Sequence, residues 1–260
     1  MIAAAETSKS YLDVGKSRIF YEVQGQGEPL LLLHGGFGTN YDFANQIPDF
    51  AKHFRVVAFE RAGHGRSPDT DEPFSFDIMT AYTVELVEKL KIGAVNVLGW
   101  SDGAVIAFLL AISREDLVKR IVSVGGLFST DSLAPKDVAW LRGVTPESFR
   151  KVEPSIVERY EGLSPDGPGH FPVVFQKTIR MWLNEPNISK DDLGKISAPA
   201  LVMAGDRDAT RFEHTLELFR SIRNAEMCIV PGTTHFLLSE KPELATRVIL
   251  EFLEKGKDRR

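Results

Sequence analysis

At 260 residues, with 43% apolar and 26% charged side chains, the chain has the composition of an ordinary globular protein and the length for one sizeable core. A net charge of −5 without a long basic cluster gives no electrostatic basis for a nucleic-acid partner, and the one cysteine, Cys228, excludes an intramolecular disulfide and fits a reducing compartment. No apolar run approaches the ~20 residues of a membrane span, and residues 1–5 lack the length and preceding positive charge of a secretory signal; a cytoplasmic monomer or homodimer is expected, with no membrane partner.

In chain order, 11–14 and 18–24 read as a hairpin around Gly15-Lys16, the second strand with one wet face. The apolar run 30–33 reads as a strand covered on both faces. His34-Gly35-Gly36-Phe37-Gly38 follows it, and three glycines there let backbone N–H groups point into a site; taken alone, the same stretch reads as a plain strand-to-helix turn. A second buried strand over 55–59 ends in Glu60-Arg61-Ala62-Gly63-His64-Gly65-Arg66-Ser67-Pro68. That loop lacks the Lys-Ser/Thr pair and glycine spacing of a phosphate loop, and His64 reads as a packed turn residue. Met79, Tyr82, Leu86 and Leu90 fall on one face of a helix predicted over 76–90, with Asp77 as its N-cap.

The apolar run 95–98 then stops at Gly99-Trp100-Ser101-Asp102-Gly103, and an apolar helical run follows over 104–112. A serine at so sharp a strand-to-helix turn has an exposed hydroxyl, and the turn admits only small flanking residues because neighbouring backbones come too close for a Cβ. Ser101 is therefore read as a nucleophile. With a further strand at 121–124, strands alternating with helices predict an α/β fold: a mostly parallel sheet with helices on both faces.

From 128 to 190 the rhythm breaks. Seven prolines separate short helical pieces at 136–142, 147–152 and 173–184, among large apolar side chains such as Phe149, Phe171 and Phe175. The expected organisation is a core formed by 1–127 and 191–260, with 128–190 inserted as a small helical cap. Most of its aromatics should form the cap's own core, and one or two should wall a pocket. Strand 200–204 runs into Gly205-Asp206-Arg207-Asp208, a helix follows over 211–221, and strand 226–230, carrying Cys228 as a small buried residue, ends at Gly232-Thr233-Thr234-His235-Phe236. A helix over 242–255 closes the chain, and the basic residues 255–260 read as a solvated tail.

In an open parallel sheet, sites form beyond the C-terminal ends of the strands. Five loops leave such ends, carrying Gly35-Gly36, residues 61–67, Ser101, Asp206 with Asp208, and His235. At this point the chain resembles the α/β-hydrolase superfamily over nearly its whole length. Gly99-Trp100-Ser101-Asp102-Gly103 looks like the nucleophile elbow, His34-Gly35-Gly36 like the oxyanion loop, and the order Ser…Asp…His is that of these hydrolases. Glu60 departs from the family's usual aspartate at a structural position. The resemblance implies Asp208 as the triad acid, with Asp206 as the lesser candidate, and His235 as the base in preference to His34, His53, His64, His170 and His214. It implies oxyanion donors in the backbone N–H groups of Gly36 and Asp102, and neither a metal nor an organic cofactor.

The expected activity is hydrolysis of a small carboxylic ester, lactone or activated amide through an acyl-Ser101 intermediate, with Phe37, Asp102, Trp140, Trp182 and Phe236 as pocket candidates. Two rivals stand: a carbon–carbon bond hydrolase of meta-cleavage-type diketones with the same triad, and a ligand-binding receptor on the same fold. Asp102 carries a further question. The Gly-Trp-Ser-Asp-Gly string is similar to that of biphenyl-hydrolase-like, valacyclovir-hydrolase-type enzymes, which implies an aspartate that binds a substrate α-amino group. Alternatively its carboxylate serves the helix N-terminus, where negative charge is favoured.

Overall fold

The computed structural model describes residues 7–255, so the expectations for 1–5 and for 256–260 of the basic tail lie outside it. Eight strands form one sheet: β1 (Ser8–Val14), β2 (Ser17–Gln24), β3 (Pro29–Leu33), β4 (Arg55–Phe59), β5 (Val95–Trp100), β6 (Val118–Val124), β7 (Ala200–Gly205) and β8 (Ala225–Val230). Their order is β1-β2-β4-β3-β5-β6-β7-β8, antiparallel from β1 to β4 and parallel from there on. The chain steps from β3 outward to β4, then returns past β3 to β5. The crossovers therefore reverse between β3 and β5, the place where open α/β sheets bind ligands.

Both sheet faces are covered. Alternation along β3 sends Leu31 and Leu33 to one core layer and Leu30 and Leu32 to the other. That two-sided burial is why the strand reads as an unbroken apolar run. The helices are α1 (Ile47–Phe50), α2 (Phe76–Lys89), α3 (Asp102–Ser113), α4 (Pro135–Gly143), α5 (Pro146–Val152), α6 (Pro154–Leu163), α7 (Phe171–Asn184), α8 (Lys190–Leu193), α9 (Phe212–Ser221), α10 (Leu237–Glu240) and α11 (Pro242–Glu254). Helix α3 is apolar on every side and largely buried, whereas α11 shows the sheet a single face carrying Ala245, Ile249, Phe252 and Leu253. The N-cap of α2 is Ser75, not Asp77: the Ser75 hydroxyl accepts the Asp77 N–H at 3.2 Å, and Asp77 lies in the first turn. Cys228 is half-buried, because β8 is the edge strand.

Helices α4 to α7 lie between β6 and β7. Helix α6 was absent from the sequence expectation. Its Pro154 sits at the first turn, where proline is tolerated, and only Val157 and Tyr160 are fully buried. Phe149, Phe171 and Phe175 pack together at ring separations of 5.4 to 6.2 Å.

Candidate active site

Ser101 stands between β5 and α3 with φ 55° and ψ −119°, a left-handed backbone that side chains other than glycine rarely adopt. Its amide donates to Val124 O at 2.9 Å, which pins the turn to β6. The flanking glycines have a steric cause. A Cβ at Gly99 would stand 2.2 Å from Gly103 O, and one at Gly103 would stand 1.9 Å from Leu33 O. Strain is held in place by close backbone packing on both sides of the serine.

The loop after β3 lies beside this turn. A Cβ on Gly35 would meet the Trp100 ring at 2.9 Å and Ser101 Cβ at 3.3 Å, and one on Gly36 would meet the Trp182 ring at 2.2 Å. Phe37 also has positive φ, 55°. Asp102 opens α3, so its N–H is among the donors a helix leaves without an intrahelical partner.

From β7 and β8 come an acid and an imidazole. His235 Nδ1 donates to Asp208 Oδ1 at 2.8 Å, with the Asp208 side chain 2% exposed. Burial alone would push the Asp208 carboxyl up. The His235 hydrogen bond and the Thr210 N–H at 3.0 Å outweigh it and hold the group below its usual range. Trp100 Nε1 donates to His235 O at 2.9 Å, so the residue before the serine anchors the backbone of the histidine. Gly125, at the end of β6 with φ 58°, leaves the space that the His235 ring fills. Ser101 and His235 line a common cavity of about 270 Å³ with Asp102, Leu133, Trp140 and Trp182.

The family model for the alpha/beta hydrolase fold matches residues 28–163. This chain belongs to that family. A hydrolase of Acinetobacter baylyi, named for (E)-2-((N-methylformamido)methylene)succinate, is 24% identical to it over 90% of this chain and 93% of that one. Human serine hydrolase BPHL is 26% identical over 91% of this chain and 83% of its own. The same fold is seen in a meta-cleavage product hydrolase from Pseudomonas fluorescens, with a TM-score of 0.81 at 20% identity, covering 94% of this chain and 98% of that one.

The other histidines of this α/β hydrolase are engaged elsewhere. His34 donates through Nδ1 to Gly35 O at 2.7 Å and accepts the Arg61 N–H on Nε2 at 3.1 Å, which fixes it as a neutral ring; burial and the Arg61 charge press its pKa well below the usual range. Burial also holds His64 at about 3 and His214 at about 4. His53 pairs with Glu254, and His170 with Asp69, each at 2.8 Å. Asp206 accepts the Gly232 and Thr233 N–H groups at 2.7 and 3.1 Å, so it ties down the loop that carries His235. Glu60 is fully buried and accepts from Arg66 and from the Asn40 N–H.

Of the pocket candidates, Asp102, Trp140 and Trp182 line the cavity of Ser101, and Phe37 and Phe236 do not. The positive φ of Phe37 turns its ring into the aromatics of the insertion, 5.1 Å from Phe149 and 5.4 Å from Trp182. Phe236 is 42% exposed and faces a separate cavity with Gly36 and Trp100. The Asp102 carboxylate bonds no helix N–H in its first turn. Its Oδ1 accepts Trp182 Nε1 at 2.9 Å, and its Oδ2 is buried 3.9 Å from Arg61 Nη2. Burial raises the Asp102 pKa against the lowering influence of Arg61 and Trp182. Sequence reasoning missed Arg61, Gly125 and the indole of Trp100. Two more lining residues it missed, Asp137 and Glu185, had only their place in the inserted segment as a signal.

Proposed function

We propose that this chain is a serine hydrolase that cleaves small carboxylic esters through an acyl-Ser101 intermediate. The observation that carries the reading is a serine in strained left-handed backbone sharing one cavity with an imidazole whose far nitrogen is bonded to a buried carboxylate at 2.8 Å. In this reading His235 Nε2 takes the Ser101 proton as Oγ adds to the substrate carbonyl. Asp208 stabilises the imidazolium, and the Gly36 and Asp102 N–H groups hold the oxyanion. The tetrahedral adduct expels the alkoxide, which leaves with the proton from His235. Water, deprotonated by the same ring, then releases the acid and restores Ser101. A ligand-binding receptor needs neither base nor acid, which disfavours that rival.

Ser101→Ala and His235→Ala should each abolish turnover of p-nitrophenyl butyrate, with losses of about 10⁴-fold or more, while thermal unfolding stays near wild type. A serine-directed phosphonate should label Ser101 stoichiometrically. Retained turnover in Ser101→Ala would falsify the nucleophile.

The cavity lining also informs substrate class. It holds three carboxylates, Asp102, Asp137 and Glu185, and no lysine or arginine. A carboxylate substrate, as in the dienoic acid that names a relative from Metapseudomonas resinovorans, meets repulsion there, which favours ester over carbon–carbon bond cleavage. A cationic acyl group, as in an aminoacyl ester, meets attraction. Because Trp182 occupies Oδ1 of Asp102, its Oδ2 is buried, and Glu185 accepts the Phe76 N–H at 2.9 Å, Asp137 is the better-placed partner for an ammonium group. Comparing an aminoacyl ester with its des-amino analogue in wild type, Asp102→Asn and Asp137→Asn tests this. The selectivity ratio should fall in Asp137→Asn, and ratios equal in all three proteins would end the idea.

A further inference from the structure

Arg61 is a buried cation beside the nucleophile turn, its side chain 3% exposed and its Nη2 3.9 Å from Asp102 Oδ2. Its Nη1 donates to His34 O and its Nη2 to Gly35 O at 2.9 Å. Gly35 O receives two more hydrogen bonds, from His34 Nδ1 at 2.7 Å and from the Gly38 N–H at 3.1 Å. One carbonyl thus accepts three donors, one of them charged.

That carbonyl is half of a peptide unit whose other half is the Gly36 N–H. The unit is planar and trans, so the C=O and N–H point in opposite directions; fixing one fixes the other. Hydrogen bonds to the oxygen also draw electron density away from the nitrogen, which makes the N–H a stronger donor; such cooperative gains are on the order of 10–30% per bond. We propose that Arg61 is a positioning residue for the oxyanion donor: by holding the Gly35 carbonyl it aims the Gly36 N–H and strengthens it. The proposal rests on the acyl-serine reading, since it assigns Gly36 an oxyanion to bind. Asp102 belongs to the same arrangement. With Oδ2 3.9 Å from Nη2, its carboxylate joins that of Asp42 as the counter-charge that lets a guanidinium persist at this depth, although burial still lowers the Arg61 pKa to about 10.

The test compares wild type with Arg61→Lys, which replaces the planar two-nitrogen fork by a single nitrogen on a shorter stem, and uses three readouts. With p-nitrophenyl butyrate, kcat should fall about 10²-fold, the cost of impairing one oxyanion donor, while KM changes by less than about threefold. The inhibition constant of a boronic acid that forms a tetrahedral adduct should rise in proportion to the loss in kcat. In the substrate-free protein, the carbonyl carbon resonance of Gly35 should lie strongly downfield in wild type and move upfield in the variant. A folded Arg61→Lys with wild-type kcat and boronate affinity overturns the proposal, as does a loss confined to KM. If the lysine variant does not fold, Arg61→Gln, a planar uncharged donor, takes its place. The wild-type carbonyl resonance stands without any variant, and a value in the ordinary glycine range sinks the proposal. Failure of the acyl-serine reading is distinguishable: wild type itself would then leave ester and phosphonate untouched, while the Gly35 resonance would still respond to Arg61→Lys.

Discussion

A methyl group at Gly125 would stand 2.7 Å from His235 Cε1 and 2.8 Å from its Nδ1, closer than side chains approach without displacement. The left-handed φ of 58° adds strain for any other residue. The softest element there is the imidazole ring, which is held by one hydrogen bond to Asp208. Gly125→Ala should therefore move His235 and lower ester turnover by about 10²-fold, the scale of an ångström-sized misplacement. Stability should fall by only about 1–3 kcal/mol. Steady-state kinetics alongside urea unfolding separates the two effects; a variant with normal kcat would mean that the ring has room to spare. No sequence pattern marked this glycine, because the contact joins residues 110 positions apart. Ser101, by contrast, was legible from its own neighbours: the glycines two residues before and after it answer to backbone atoms packed against the turn.

At the level of elements, the helices between β6 and β7 are fastened to the α/β layers at several places. Trp182 of α7 bonds Asp102 at 2.9 Å, Glu185 beyond α7 accepts the Phe76 N–H of α2 at 2.9 Å, and Phe37 reaches upward from the loop after β3. A fourth fastening is ionic. Asp69, 5% exposed, takes Lys177 Nζ of α7 at 2.8 Å and His170 Nε2 at 2.8 Å. Removing one partner of a buried pair leaves the other uncompensated, at a cost of about 3 kcal/mol. Asp69→Ala should raise the hydrogen-exchange rates of α7 while those of β5 stay unchanged. Equal protection in α7 would show that the aromatic contacts suffice. The strands were readable because burial on both faces writes itself as unbroken apolar runs, as in β3 and β5. Helix α6 was not, because its exposed side is polar and its first residue is a proline. The fastenings were not readable either, since each joins residues 80 or more positions apart or depends on the direction in which a ring points.

For the whole molecule, three buried imidazoles make stability depend on pH. His34, His64 and His214 are all held neutral by burial, His64 with a pKa of about 3 and His214 of about 4. Unfolding restores them to about 6.5. The unfolded chain thus binds more protons than the folded one below about pH 6.5, so stability is full above that pH and declines on acidification down to about pH 4. Each ring contributes up to about 1.4 kcal/mol per pH unit to the slope. Urea midpoints measured from about pH 7 to about pH 5 should fall steadily, and His64→Leu should flatten the curve by close to one proton. A flat wild-type profile would mean that the rings take up protons without unfolding. At the same scale, the α/β architecture was legible from strands alternating with helices, and strand ends located the loops that carry Gly36, Ser101, Asp208 and His235. The choice of Gly36, Asp208 and His235 within those loops came from the family resemblance. Among the described residues, no helix is long and apolar enough to cross a membrane.

The bond from Trp182 to Asp102 has a thermodynamic corollary. One carboxylate oxygen serves α7, and the other is shut away beside Arg61. A ligand that takes the place of the indole on this carboxylate breaks the bond to α7. By reciprocity, whatever free energy that exchange subtracts from the ligand's affinity it also subtracts from the attachment of α7. Where such an exchange occurs, occupancy of the cavity and looseness of α7 rise together.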